Sequence, residues 1–243
     1  MNNFLLDVAL DLKAGVTVVL ESVQHVHLVN VLKSKEGDVV KVGFVGKSVW
    51  LARVDSINPS LQQSFLTLQQ KRACPPRPVH SIAIALPRPK AIRRVVESVS
   101  TLGVKKLTFF NAWRVEKSYW QSAKTELKNL LGYAEDGLRQ GGHPWLPQIH
   151  LKRFFSDFLN ESDLKHRRVV LTPSAKVSVL DELQHNCNEP REYILGPEGG
   201  FIENELEGFK KLKVSLCSLN MPILKTETAA TAVLTLSYNH KSK

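Results

Sequence analysis

Two hydrophobic patterns divide the chain, and the change falls near residue 75. Up to about residue 73 the apolar residues come in short runs: Val39-Val-Lys-Val-Gly-Phe44, Val49-Trp-Leu-Ala-Arg-Val54 and Phe65-Leu-Thr-Leu68. Gly46-Lys-Ser48 and Asn58-Pro-Ser60 separate them, so strands joined by turns are expected. One short helix is expected before them, around Val23 to Leu32. Several short strands in one small unit imply a closed or partly closed β-barrel. Cys74-Pro-Pro-Arg-Pro78 follows as a stiff, extended connector and marks the boundary between a domain of residues 1–73 and one of residues 74–243.

Beyond residue 80 strands and helices alternate. Ser81-Ile-Ala-Ile-Ala-Leu86 reads as a buried strand, and Ile92, Val95, Val96, Val99 and Leu102 recur at helical spacing, with Gly103 placed to end the helix. Leu107-Thr-Phe-Phe110 returns as a strand. Trp120, Ala123, Leu127, Leu130, Leu131 and Ala134 predict the next helix, which gives way at Gly141-Gly142. Arg168-Val-Val-Leu-Thr172 supplies another strand. This alternation is the signature of a mainly parallel α/β sheet.

The chemistry concentrates in two later segments. Tyr193-Ile-Leu-Gly-Pro-Glu-Gly-Gly-Phe201 and Leu219-Asn-Met-Pro-Ile-Leu-Lys-Thr-Glu-Thr-Ala-Ala230 each read as a strand, a tight loop and a helix, with the Thr226 hydroxyl placed to cap the second helix. Gly196, Pro197, Gly199 and Gly200 let a backbone approach a ligand closely. Two such crossings place one small-molecule pocket at the carboxyl ends of neighbouring strands. Glu198, Glu203 and Glu205 would repel a phosphate there, and no G-x-x-x-x-G-K-[ST] or G-x-G-x-x-G run occurs. A ligand with a cationic reactive end, such as S-adenosylmethionine, suits the loop better. The plainer alternative is a pair of Gly/Pro-rich turns without ligand.

Charge sharpens the choice of partner. The chain has 243 residues and a formal charge of +10, from 33 basic against 23 acidic residues, which favours salt-sensitive association with a polyanion. Cys74, Cys187 and Cys217 are widely spaced and odd in number, as expected of free thiols in a reducing compartment. Met1-Asn-Asn-Phe-Leu-Leu-Asp7 has no basic start before a long apolar core, and nowhere do about eighteen apolar residues run together, so a cytoplasmic protein without membrane contact is expected. The eight histidines show no metal-ligand spacing, and no metal is expected. His143, after Gly141-Gly142, reads as a surface-loop histidine.

Leu195-Gly-Pro-Glu-Gly-Gly-Phe201 and Ile223-Leu-Lys-Thr-Glu-Thr-Ala-Ala230 resemble the paired signatures of the SPOUT-class methyltransferases that act on N3 of a uridine in 16S ribosomal RNA. Weaker similarity, at His27-Leu-Val-Asn-Val-Leu-Lys33, Glu36-Gly-Asp-Val39, Leu102-Gly-Val104 and Leu146-Pro-Gln-Ile149, covers the full length. The resemblance implies an N-terminal PUA-like RNA-binding β-barrel and a C-terminal SPOUT α/β domain with a trefoil knot. It also implies a homodimer, with ribosomal RNA or the small ribosomal subunit as substrate. Periodicity shows neither knot nor dimer, and the general rule against threaded loops would exclude the knot.

The cofactor residues it implies begin with Leu171 and Thr172 on one strand end. Leu195, Gly196, Pro197, Gly199 and Gly200 follow in the first loop. Leu219, Asn220, Ile223, Leu224, Thr226, Thr228 and Ala229 complete the set in the second. Lys33, Arg114, Gln140 and Lys225 are candidates for RNA contact. Arg114 and Lys225 double as catalytic candidates with Glu198 and Glu227, which would orient the base or accept its proton. Glu198 would otherwise hold its loop, and Glu227 favour its helix N-terminus.

Departures from the family pattern also stand out: Ser98 and Thr101 for Lys and Glu, Trp113 for an acidic residue, and Arg139 and His143 in the Glu-Gln-x-x-Arg motif. Asn220 stands where Gly is usual, Pro222 and Lys225 where Arg is usual, and Ile202 where a Ser caps the helix. A SPOUT enzyme acting on another rRNA or tRNA position, or an inactive RNA-binding relative, are the alternative readings.

Overall fold

A computed structural model describes residues 3–7, 11–161, 167–185 and 189–239; Met1, Asn2 and Cys187 lie outside them. The chain forms two compact units, residues 1–76 with 138–146, and residues 77–137 with 147–243.

The first unit is built on β1 (Asn3–Leu6), β2 (Thr17–Glu21), α1 (Ser22–Val26), β3 (Val39–Phe44), β4 (Ser48–Asn58) and β5 (Gln63–Arg72). Its sheet runs β1-β3-β4-β5-β2, with β1 parallel to β3 and the other pairs antiparallel. Register shifts at Leu51/Ala52 and Val54/Ser56 interrupt the β4–β5 ladder, and such bulges add twist that curls a sheet into a half-barrel. Leu20, Val42, Phe44, Val54, Leu66 and Leu68 fill the concave core. The edge strands β1 and β2 are absent from the sequence reading, because runs of four or five apolar residues beside a helix fit either element. The helix expected from Val23 begins at Ser22 and passes into a π-turn at His27–Val31.

The second unit contains β6 (Ser81–Ala85), α2 (Pro89–Leu102), β7 (Lys106–Phe110), α3 (Leu127–Gly141), β8 (Gln148–Lys152), α4 (Phe155–Leu159), β9 (Arg167–Leu171), β10 (Val177–Ser178), α5 (Val179–His185), β11 (Arg191–Leu195), α6 (Glu203–Lys211), β12 (Ser215–Ser218) and α7 (Thr226–Asn239). The last turn of α3 belongs with the first unit. All seven strands are parallel, in the order β10-β12-β9-β11-β6-β7-β8. Every residue of β6, β7 and β11 is buried, as helices on both faces require.

Ile92, Val95, Val96 and Val99 of the α2 stripe are buried as their spacing predicts, Leu102 at its end is exposed, and Gly103 ends the helix at φ +82°. The Tyr238 hydroxyl of α7 donates to the Gly103 carbonyl and ties the two helices together. The helix expected from Trp120 starts only at Leu127. Ser122 and Glu126 are extended there, and the segment between Lys117 and Thr125 closes into short 3-10 turns, one of them held by the Thr125 hydroxyl on the Ser122 carbonyl. The second signature strand also ends earlier than read, at Ser218, so Leu219 is already loop.

Candidate functional site

Strand register sets the site. Leu171 pairs with Leu195 on one side and Cys217 on the other, and Leu195 pairs with Ile84. The carboxyl ends of β12, β9, β11 and β6 are therefore level, and the loops leaving them converge on a cavity of about 740 Å³. This volume is in the range of small-molecule sites, and an open α/β sheet presents its binding crevice at that end.

Most of the expected cofactor residues line it. Leu171 ends β9 and Thr172 follows it, while Leu195 ends β11 and Gly196, Pro197, Gly199 and Gly200 form its loop. Leu219, Ile223, Leu224, Thr226 and Ala229 come from the β12 loop and α7, joined by Glu198, Lys225 and Glu227. Asn220 and Thr228 are not in the lining. Lys33 and Gln140 belong to the first unit and are exposed there. Thr226 is the first residue of α7 rather than its cap.

A third crossing, between β6 and α2, completes the wall. Arg88, Lys90, Ala91 and Arg94 line the cavity, and the sequence reading missed them. The signal was present in Leu86-Pro-Arg-Pro-Lys90, a proline-punctuated basic turn directly after a strand. Two of these arginines engage the carboxylates singled out above. Arg88 Nε lies 2.6 Å from Glu198 Oε2, and Arg94 lies 3.5 Å from Glu227 Oε1. Lys225 is exposed at the rim.

Arg114 is not in the lining. Its guanidinium donates to the Gly199 carbonyl and braces the β11 loop from outside. Glu205 fixes both partners. Its buried carboxylate accepts from the Trp113 amide (2.8 Å) and the Ile202 amide (3.0 Å), joining the loop after β7 to the start of α6. Ile202 has no side-chain acceptor, so only the glutamate half of a capping box is made. Phe201 anchors the same loop from below, edge-on to Phe209 at 5.3 Å between ring centroids and stacked with Phe110 at 6.4 Å.

His143 is buried, not on the surface, at 3% exposure. Its Nδ1 accepts from the Trp145 amide, which turns the ring inward. Among the described residues no group of three or more His, Cys, Asp or Glu side chains could hold a metal, and no helix is long and apolar enough to cross a membrane. Cys74 and Cys217 are free thiols; burial pushes the Cys217 thiol up to about 11.

Asn220 adopts φ +52°, in the left-handed region that glycine and asparagine enter most readily. The departure from glycine at this position thus preserves the loop's backbone. Asn220→Gly is expected to leave ligand affinity unchanged. Asn220→Val forces a β-branched residue into that region and is expected to weaken binding about tenfold, at roughly 1–3 kcal/mol of strain, by calorimetry.

The RNA methyltransferase domain family matches residues 75–237. A ribosomal RNA small subunit methyltransferase E 1 from Borreliella burgdorferi is 25% identical, covering 93% of this chain and 94% of its own length. A ribosomal RNA small subunit methyltransferase E from Synechocystis is 26% identical, covering 90% of this chain and 71% of its own. The crystal structure of a ribosomal RNA small subunit methyltransferase E from Neisseria gonorrhoeae bound to S-adenosyl methionine superposes with a TM-score of 0.81. It is 17% identical, with 97% of this chain and 95% of that one covered, and shares the fold.

Proposed function

The chain belongs to the RNA methyltransferase domain family, and from that premise we propose that it is an S-adenosylmethionine-dependent methyltransferase acting on N3 of a uridine in 16S ribosomal RNA. The observation that carries this reading is the level cavity walled by Gly196-Pro-Glu-Gly-Gly200 and by the loop into α7. Its apolar side chains (Leu171, Leu195, Leu219, Leu224) suit an adenosine. When bound, S-adenosylmethionine supplies a methyl group on a cationic sulfur, an electrophile strong enough to react without a metal.

The protein's part is positioning and charge. The main chain of the two loops would hold the adenosine, and alignment of an acceptor nitrogen beside it would contribute roughly 7–11 kcal/mol. The N3 proton would have to leave as the methyl group passes to the nitrogen, its bond to sulfur breaking to release a neutral thioether. Glu198 or Glu227 accepts it or orients the base, while Lys225 opposes the negative charge that develops on the uracil ring. Arg88 and Arg94 hold the two carboxylates in place. Arg114 steadies the β11 loop and presents its remaining N–H donors to RNA.

Residues 1–73 form a PUA-like RNA-binding module in this reading, with Lys33 toward the RNA, and residues 74–243 the catalytic domain, from which Gln140 also contacts RNA. The two signature segments tie a trefoil knot, and two copies pair through this region in the cytoplasm. Met221 and Ile223, 57% and 88% exposed, are apolar side chains that such pairing covers.

Single-turnover methylation of small ribosomal subunits, followed by nucleoside mapping, tests the proposal. Lys225→Ala is expected to slow transfer by about a hundredfold, the usual cost of removing one group that stabilises developing charge. S-adenosylmethionine affinity should not change, and Lys225→Arg should keep activity. Binding of cofactor and RNA without transfer by the unmodified protein would identify an inactive relative instead.

A further inference from the structure

The loop after β7 carries an exposed tryptophan beside the site. Trp113 is 78% exposed, whereas Trp50 is buried and Trp120 and Trp145 are partly covered. Its backbone is nevertheless fixed, because its amide is held by the buried carboxylate of Glu205. The next residue, Arg114, reaches the Gly199 carbonyl of the cavity wall. A rigid backbone under a solvent-exposed indole is the construction of a platform, not of a fluctuating loop tip.

The surroundings define what the platform takes. Arg88 and Lys90 line the same cavity and are exposed, as is Arg114. Tyr119 is close enough to Arg88 and Glu198 to be influenced by both charges. Aromatic faces among cations fit a single-stranded nucleic acid, with bases stacked on the rings and phosphates near the basic groups. A carboxylate at position 113, the usual residue in the family that this chain resembles, would repel a phosphate; an indole does not.

We propose that Trp113 is a stacking platform for an unpaired nucleobase of the RNA substrate, next to the nucleotide that enters the cavity. This rests on the RNA methyltransferase reading, and stacking adds affinity without adding charge. Trp113→Ala is expected to weaken binding of a small-subunit ribosomal RNA transcript between about five- and a hundredfold, the range for losing one base–aromatic stack. The dependence of log affinity on log salt should keep its slope, since no phosphate contact is lost. S-adenosylmethionine affinity and the rate at saturating RNA should be unchanged, and Trp113→Phe should restore most of the RNA affinity.

Fluorescence gives a second readout. Oligouridylate should quench the intrinsic emission of the unmodified protein, and Trp113→Phe should lose most of that quenching while still binding. Unaltered RNA affinity in Trp113→Ala, or equal quenching in Trp113→Phe, overturns the platform. So does a loss in Trp113→Ala that extends to cofactor binding and is not recovered by phenylalanine, because that marks a structural role. If the unmodified protein binds the transcript but methylates nothing, the catalytic reading fails while the platform is still judged by these affinities.

Discussion

Replacing Gly196 by alanine lowers S-adenosylmethionine affinity by about ten- to a hundredfold, the equivalent of roughly 1–3 kcal/mol of overpacking. A Cβ built at Gly196 falls 2.9 Å from Cε2 and 3.0 Å from Cδ2 of Phe201. The ring cannot yield easily, because Phe209 and Phe110 pack against it. The backbone must move instead, and with it the Pro197-Glu198-Gly199 segment that lines the cavity. Gly199→Ala should cost less, since the atoms nearest its Cβ belong to the long, exposed Arg114 side chain, at 3.0 Å from Cδ, rather than to a packed ring. Gly200 is different again, because its φ of +75° strains any replacement. Calorimetry on the three variants, with circular dichroism to verify the fold, gives the order. Combining Gly196→Ala with Phe201→Leu should recover part of the affinity if the ring is the obstacle. Full affinity in Gly196→Ala alone would refute the account.

Glu192→Ala is expected to destabilise the second unit by about 3–5 kcal/mol, the usual result of removing one partner from a buried ion pair. Glu192 is 3% exposed near the start of β11, at the end of the sheet opposite the cavity. It lies 3.0 Å from Lys106 Nζ and 2.8 Å from Arg168 Nε. Arg168 also donates to the Leu159 and Phe158 carbonyls, so it cannot swing out to water without further loss. Lys106, almost fully buried, would among the described residues keep only Glu161 as an ion-pair partner, at 3.7 Å.

The pH dependence has a definite sign. Burial alone would raise the Glu192 carboxyl, but Lys106 and then Arg168 outweigh it and hold it below its ordinary 4.5. A depressed acid stabilises the fold above its unfolded value and loses that contribution as pH falls through the folded one. The gap between the unmodified protein and Glu192→Ala should therefore be full at neutral pH, shrink below about pH 4.5 and close in stronger acid. Thermal denaturation across pH measures it. A constant gap at all pH values would show that the charge is not what Glu192 contributes.

The parallel α/β architecture of the second unit is legible in the residues alone, because its strands and helices are long enough for periodicity to register. Twelve of the fourteen residues that the family resemblance implies for the cofactor line one cavity, and Glu198, Lys225 and Glu227 line it with them. Tertiary structure decided the rest. Arg88 faces Glu198 because β6 lies beside β11, a pairing of strands more than a hundred residues apart, and Arg94 faces Glu227 because α2 packs on α7. Gly196 is required by the ring of Phe201, not only by a ligand, and Glu205 reaches an amide ninety-two residues away. His143 is buried although its Gly-Gly flank reads as surface, because residues 138–146 pack with the first unit. Local sequence encodes dihedral preference and periodicity over a few residues. Which side chain meets which across the sheet follows from strand order, and strand order follows from burying all the apolar faces at once.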